Sequence, residues 1–212
     1  MKRFEIITEI DARTLARGEV VELALRGHIT PLAHDTLKER GVTVVREGRS
    51  SEAEASLAPA ADVRAVAIAC DHTGVGLRRE LVRFLRARGL AVHDMGTDGP
   101  DPVDYPDMAA LVAHAVVRGE ADAGIVIDGV GVGSAIAANK IRGVRAAMAM
   151  TETIARYSRE HNGANVLTLG ATLLSADEAR LIVAAWLSTP MREPRYIRRL
   201  AKIRDLETRE RA

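Results

Sequence analysis

Short apolar runs alternate along most of this chain with stretches whose apolar positions recur at helical spacing. Val66-Ala67-Ile68-Ala69 predicts a buried strand, and residues 77–88, closed by Gly89, predict the helix that follows it. The alternation continues with a strand over 90–93, a loop rich in Gly, Asp and Pro over 96–106, and a helix over 107–118. Further strands are expected at 124–127, 144–150 and 166–169, with helices at 134–140, 153–161 and 176–187. A last, basic helix over 194–212 carries Arg195, Arg198, Arg199, Lys202 and Arg204. Such alternation favours an α/β fold, a doubly wound parallel sheet with helices on both faces. In sheets of this kind ligands bind at the carboxyl ends of the strands, where Asp71-His72, Asp128-Gly129 and Thr151 fall.

Residues 1–47 predict a small separate unit. A strand over 19–25 leads to Thr30, which can cap a helix with Pro31 at its first position; Gly41 can end that helix before a strand over 42–46. The expected appendage is therefore β-α-β. Residues 48–62, GRSSEAEASLAPAAD, have the small, polar composition of a linker, and 63–212 form the main domain.

The 212 residues, 47% of them hydrophobic, suffice for a real core. Thirty basic against 29 acidic side chains leave a net charge of +1, which gives no global attraction to nucleic acid or to an anionic membrane. Aromatics at 3% offer no base-stacking surface. Cys70 is the single cysteine, so no disulfide framework is expected and a reducing, cytoplasmic setting is the natural reading. The N-terminal run MKRFEIITEID carries acids where a signal peptide would be apolar, and no apolar run reaches membrane-spanning length.

The candidate chemistry is concentrated in GIVIDGVGVGSAIAANK, residues 124–140. Asp128 ends a strand, and Gly129, Gly131 and Gly133 let the backbone turn tightly and approach a ligand before a helix opens at Ser134. A Walker A loop needs GxxxxGK[ST], and Lys140 lies too far on; a dinucleotide fingerprint needs GxGxxG, and this loop reads GxGxG. The remaining readings are a small phosphate or sugar oxyanion held by backbone N–H groups, or a purely structural turn. Asp71-His72 can orient and move a proton near neutral pH, or serve as a helix cap with a surface histidine. His161-Asn162 precedes Gly163 at a helix end; Arg195 and Arg199, one turn apart, suit a phosphate or form a solvated basic face. His28, His34, His93 and His114 share no spacing with carboxylates, so no metal site is expected.

Five ordered motifs resemble the type B ribose-5-phosphate isomerase family, which includes the galactose-6-phosphate isomerase subunits: ACDHTG at 69–74, DYP at 104–106, GVGVG with AANK at 129–140, REHN at 159–162, and the Arg195/Arg199 pair. The resemblance spans about residues 64–206 and implies a Rossmann-like three-layer sandwich. It also implies a homodimer or homotetramer with active sites shared between subunits, and no metal or organic cofactor. The implied reaction is aldose–ketose interconversion of a sugar phosphate, ribose 5-phosphate first, through an enediolate. By the same resemblance Asp71, His72 and Tyr105 contact the substrate and His161 assists ring opening. Asn162, Gly129, Gly131, Gly133 and Ser134 line the substrate site, and Arg195, Arg199 and Arg145 hold the phosphate.

The chain departs from that pattern in three places. Asp128 stands where many members carry a cysteine base, and Val130 where Thr or Ser follows it; Ser134 stands where another branch has Glu; Thr172 replaces a phosphate-binding Arg. Asp128 is the expected base, on the argument that burial raises its pKa. IVID before a Gly-rich loop also resembles the A-type galactose-6-phosphate isomerase subunit, so the alternative is a paralogue that acts only with a partner. The run HITPLAHDTLKERGVTV resembles a segment near the start of some enzymes of bacterial microcompartment operons, which would make residues 1–47 an assembly or targeting module, with a shell as partner. Cys70, at the end of the first core strand, is expected to be a buried structural thiol.

Overall fold

The computed structural model describes residues 2–46 and 57–209, and the chain divides into two compact units, Met1–Ser56 and Leu57–Ala212. Residues 47–56, which hold most of the expected linker, lie outside the described residues, as do 210–212 of the basic helix.

The first unit is larger in secondary structure than β-α-β. Its order is β1 (Arg3–Ile7), α1 (Glu9–Thr14), β2 (Val20–Ile29), α2 (Pro31–Glu39) and β3 (Thr43–Arg46), with a parallel sheet in the order β1-β2-β3. The pattern reading missed β1 and α1, and it ended β2 four residues early. The start of α1 is a capping box: Thr8 Oγ1 accepts from Asp11 N, and Asp11 Oδ2 accepts from Thr8 N at 2.9 Å. β2 reaches Ile29 because, past an irregularity in β1, Ile6 pairs with His28 and Ile7 with Ile29. Thr30 does cap α2 by position, with Pro31 inside the helix, but its side chain makes no capping hydrogen bond. Ile7, Leu15, Val21, Leu23, Ala33 and Leu37 form this unit's own core.

The second unit alternates strand and helix as the pattern predicts. Its elements are β4 (Ala65–Cys70), α3 (Val75–Ala87), β5 (Ala91–Asp94), α4 (Tyr105–Val117), β6 (Ala123–Asp128) and α5 (Val132–Ala138). β7 (Ala146–Met148), α6 (Glu152–Asn162), β8 (Val166–Gly170), α7 (Ala176–Ser188) and α8 (Pro194–Arg209) complete it. All strand pairs are parallel, in the order β5-β4-β6-β8-β7.

Residue alternation in the strands builds a layer on each face. Val66, Ile68, Ile125, Ile127 and Leu167 pack with Leu81, Leu85, Ile182 and Trp186 from α3 and α7. On the other face Ala67, Ala69 and Val126 pack with Val112 and Ala113 of α4. The small side chains there let α4 come close: a Cβ at Gly124 would lie 2.5 Å from Val112 Cγ1. Each branched side chain fully buried in these layers contributes about 1.5–3 kcal/mol. The result is a Rossmann-like three-layer α/β sandwich.

Strand order fixes where a ligand can sit. From β4 the chain goes to one side for β5 and then crosses to the other for β6, so a crevice opens between the carboxyl ends of β4 and β6. Asp71 and Asp128 stand at those two ends, and Asp71 N donates to Ile127 O at 3.1 Å.

Candidate active site

Asp128 organises the loop between β6 and α5. Its carboxylate is almost fully buried, at 3% exposure, and takes three backbone N–H groups. Oδ1 accepts from Val130 N at 2.8 Å and from Gly131 N, while Oδ2 accepts from Ser134 N at 2.9 Å. Burial pushes the carboxyl's pKa up, but the neighbouring Ser134 hydroxyl and these three N–H groups outweigh it, and the pKa falls below that of an ordinary aspartate. The expectation of a raised pKa is thus corrected, because the turn donates more than burial withdraws. Ser134 Oγ, also buried, lies by the carboxylate without a hydrogen bond of good geometry.

The glycines have separate reasons. Gly131 caps α5 in the left-handed region at φ 82°, and a Cβ there would lie 3.0 Å from the backbone of Leu169. Gly133 faces Tyr105, and a Cβ would lie 2.6 Å from the tyrosine ring. Gly129 O accepts from both the amide and the hydroxyl of Thr172, the latter at 2.6 Å. Thr168 Oγ1 donates to Gly131 O at 2.7 Å, so β8 and the turn after it brace the whole loop.

Around this loop the fold gathers Asp71, His72 and Tyr105. Asp71 Oδ1 accepts from Thr73 N at 2.9 Å and from Thr73 Oγ1 at 2.5 Å. His72 is exposed, and its Nδ1 accepts from Val103 N at 3.4 Å, which leaves the neutral ring's proton on Nε2. Tyr105 opens α4 and is partly exposed. The loop before it is pinned by buried Arg78, which lies 3.1 Å from Asp94 and also binds Asp98.

The remaining expected residues form a second group. His161 and Asn162 end α6, which starts after β7 and runs back along the sheet for 11 residues, about 16 Å. His161 stacks on Tyr157 with ring centroids 4.7 Å apart and packs against Tyr196 at 4.5 Å. Arg195 and Arg199 both lie over the Tyr196 ring, at 4.8 and 5.6 Å. One copy of the chain therefore keeps Asp71, His72, Tyr105 and the glycine loop at the carboxyl edge of the sheet, and carries His161 and Asn162 towards the opposite edge.

Arg145 belongs with neither group as a free cation. Nε donates to Gly163 O at 2.8 Å and Nη2 to Leu57 O at 2.9 Å, so the guanidinium expected to hold phosphate is engaged on backbone carbonyls. Sequence reasoning also passed over Tyr157 and Tyr196. The four-residue spacing of Tyr157 and His161 carried the first signal; only packing of α8 on α6 reveals the second. Cys70 is buried, and burial pushes its thiol up to about 11. No helix among the described residues is long and apolar enough to cross a membrane.

The family model described as Ribose/Galactose Isomerase matches residues 66–203. The chain belongs to this ribose/galactose isomerase family. It is 42% identical over 147 residues to ribose-5-phosphate isomerase B of Escherichia coli, a match that covers 69% of this chain and 99% of that protein. D-erythrulose-4-phosphate isomerase of Pectobacterium atrosepticum is 37% identical over 124 residues, which are 58% of this chain and 81% of that one. Ribose-5-phosphate isomerase B of Clostridium thermocellum superposes with a TM-score of 0.68 at 46% identity, covering 69% of this chain and 99% of that structure. The Mycoplasma genitalium enzyme, solved with bound ribulose-5-phosphate, gives 0.65 at 38% identity over 68% of this chain and 96% of that one. The family match lies within the second unit; residues 1–65 precede it.

Proposed function

We propose that this protein interconverts an aldose phosphate and its ketose phosphate, with ribose 5-phosphate and ribulose 5-phosphate as the first pair. The observation that carries this reading is the glycine loop at the β4/β6 crevice, flanked by Asp71, His72 and Tyr105, in a unit that matches ribose-5-phosphate isomerases B over nearly their whole length. Loop N–H groups not spent on Asp128 would face the oxygen of an enediolate, where fixed donors lower the barrier. Asp128 is the proposed base through Oδ2, which accepts one backbone N–H against two on Oδ1. It would act as a carboxylate already ionised rather than as one made basic by burial.

A complete site would need two copies of the chain, one giving the loop side and the other His161, Asn162, Arg195 and Arg199. Exposed Val132 and Ile136 on α5, with Ile154 and Tyr157 on α6, flank β7 and give such a pairing an apolar surface. Complementation tests this arrangement. Asp71→Asn and Arg199→Ala, each inactive alone, should recover about a quarter of parental turnover when unfolded and refolded together, since half the dimers are mixed and each holds one intact site. No recovery would sink the shared site.

The second reading is a paralogue that acts only with a partner subunit. Thr172 favours it, since its hydroxyl ties down Gly129 O where the family pattern has a phosphate-binding Arg. Ordinary isomerase rates from the purified chain alone would exclude it. For the first unit we propose an accessory role in assembly or targeting, to a microcompartment shell if the likeness of its sequence holds.

A further inference from the structure

Two arginines with no direct part in the proposed reaction are spent on backbone next to its histidine. Arg159, two residues before His161, is fully buried, and its guanidinium meets carbonyls and a ring rather than a carboxylate. Nη1 donates to Ala164 O at 2.8 Å, Nη2 to Ala60 O at 3.0 Å, and the guanidinium carbon sits 4.7 Å from the centre of the Trp186 ring. Burial lowers its pKa to about 10, so it stays charged at neutral pH. Arg145 is disposed in the same way, with Nε on Gly163 O and Nη2 on Leu57 O.

Both side chains thus join the same two pieces of chain. One is the turn 163–164, directly after His161 and Asn162; the other is residues 57–60, which lie before the family match. Burying two like charges is unfavourable, and Arg145 itself depresses the pKa of Arg159. What they supply is geometric, two rigid forks fixed on the carbonyls of Gly163, Ala164, Leu57 and Ala60, with a longer bond from Arg145 Nη1 to Gly143 O at 3.5 Å. The turn is confined on its other sides as well. Gly163 is left-handed at φ 58°, and a Cβ there would lie 2.7 Å from Leu200 Cδ1 and 3.4 Å from Pro59 Cδ.

We infer that Arg145 and Arg159 are positioning residues: by clamping the turn 163–164 to residues 57–60, they hold His161 and Asn162 in the pose the substrate requires. The inference rests on the proposed role of His161. It makes residues 57–60, expected from composition to be linker, a working part of the isomerase unit.

The test uses Arg159→Met, Arg159→Lys and Arg145→Met in the full chain. It reads steady-state kinetics on ribose 5-phosphate, thermal stability, and the NMR shifts of the His161 ring protons, which feel the currents of Tyr157 and Tyr196. Each Met variant should lose about 10–100-fold in kcat while KM stays within about threefold, as misplacement of a catalytic group does. The His161 resonances should move, and Arg159→Lys should recover part of the loss because an ammonium can still reach one carbonyl. Folded Arg159→Met with parental kcat and parental His161 shifts overturns the inference. So does Arg145→Met with unchanged kcat and a raised KM, the pattern of a phosphate ligand. If Arg159→Met does not fold, Arg145→Met and Arg159→Lys still decide. An inactive parent would strike at the proposed reaction, while the His161 shifts would go on reading the clamp.

Discussion

Replacing Asp128 by Asn keeps the shape of the side chain and removes its charge and one acceptor. Oδ1 can keep the N–H groups of Val130 and Gly131, but as a neutral amide oxygen, at a loss of about 1 kcal/mol for each bond. The new NH2 then faces the Ser134 N–H, and a buried donor left without a partner costs about 1–3 kcal/mol more. The total, about 3–5 kcal/mol, is a large part of the 5–15 kcal/mol typical of a folded domain, and corresponds to a fall in Tm of roughly 10 °C. Urea denaturation of parent and variant across pH measures it. Because the folded pKa lies below the ordinary value of 3.8, the Asp128 contribution is fully present above that value. It is lost only as pH falls further, through the folded pKa. The stability gap between parent and variant should therefore be flat from pH 7 to 5 and close only in stronger acid. A gap that widens as pH falls from 7 to 5 would refute the anchored, ionised carboxylate and restore the raised pKa, because a carboxyl of raised pKa stabilises the fold as it takes up its proton. Exchange of the substrate's C2 proton, measured at low temperature where the variant is folded, then reports on the base separately. Retained exchange in Asp128→Asn removes Asp128 from that role.

Gly133→Ala should leave the fold within a few degrees of parental Tm, since the exposed edge of Tyr105 can swing away from the new methyl group, and raise KM about tenfold. Tyr105→Ala should raise KM to a similar extent, and the double variant should be no worse than either single one; additive effects would disprove the contact as the cause. Cys70, its thiol pushed up to about 11 by burial, should be thiolate in roughly one molecule in a thousand at pH 8. Aromatic disulfide reagents should therefore label it only as fast as the protein opens, and rapid labelling of the native protein would contradict the buried thiol.

The layered α/β architecture was legible because a strand buried on both faces must be a short apolar run and a covering helix must be amphipathic; 66–69, 124–127 and 166–169 could hardly be read otherwise. β1 and α1 were not legible, since five and six residues carry too little periodicity and their capping box uses Asp in place of Glu or Gln. The placement of Asp71 and Asp128 at strand ends followed from the pattern, and their neighbourhood did not, because strand order belongs to pairing between distant segments.

Residue types and spacings by themselves determined which groups could do chemistry: a carboxylate before alternate glycines, a histidine at a helix end, two arginines one turn apart. Tertiary structure alone decided what those groups are free to do. It turned the Asp128 pKa downward, because three N–H groups converge on the carboxylate. It spent Arg145 on carbonyls, set Tyr105 against Gly133, and carried His161 towards the opposite edge of the sheet from Asp128. Partners and distances arise only when segments far apart in the chain pack together, and proton affinity and reach depend on them.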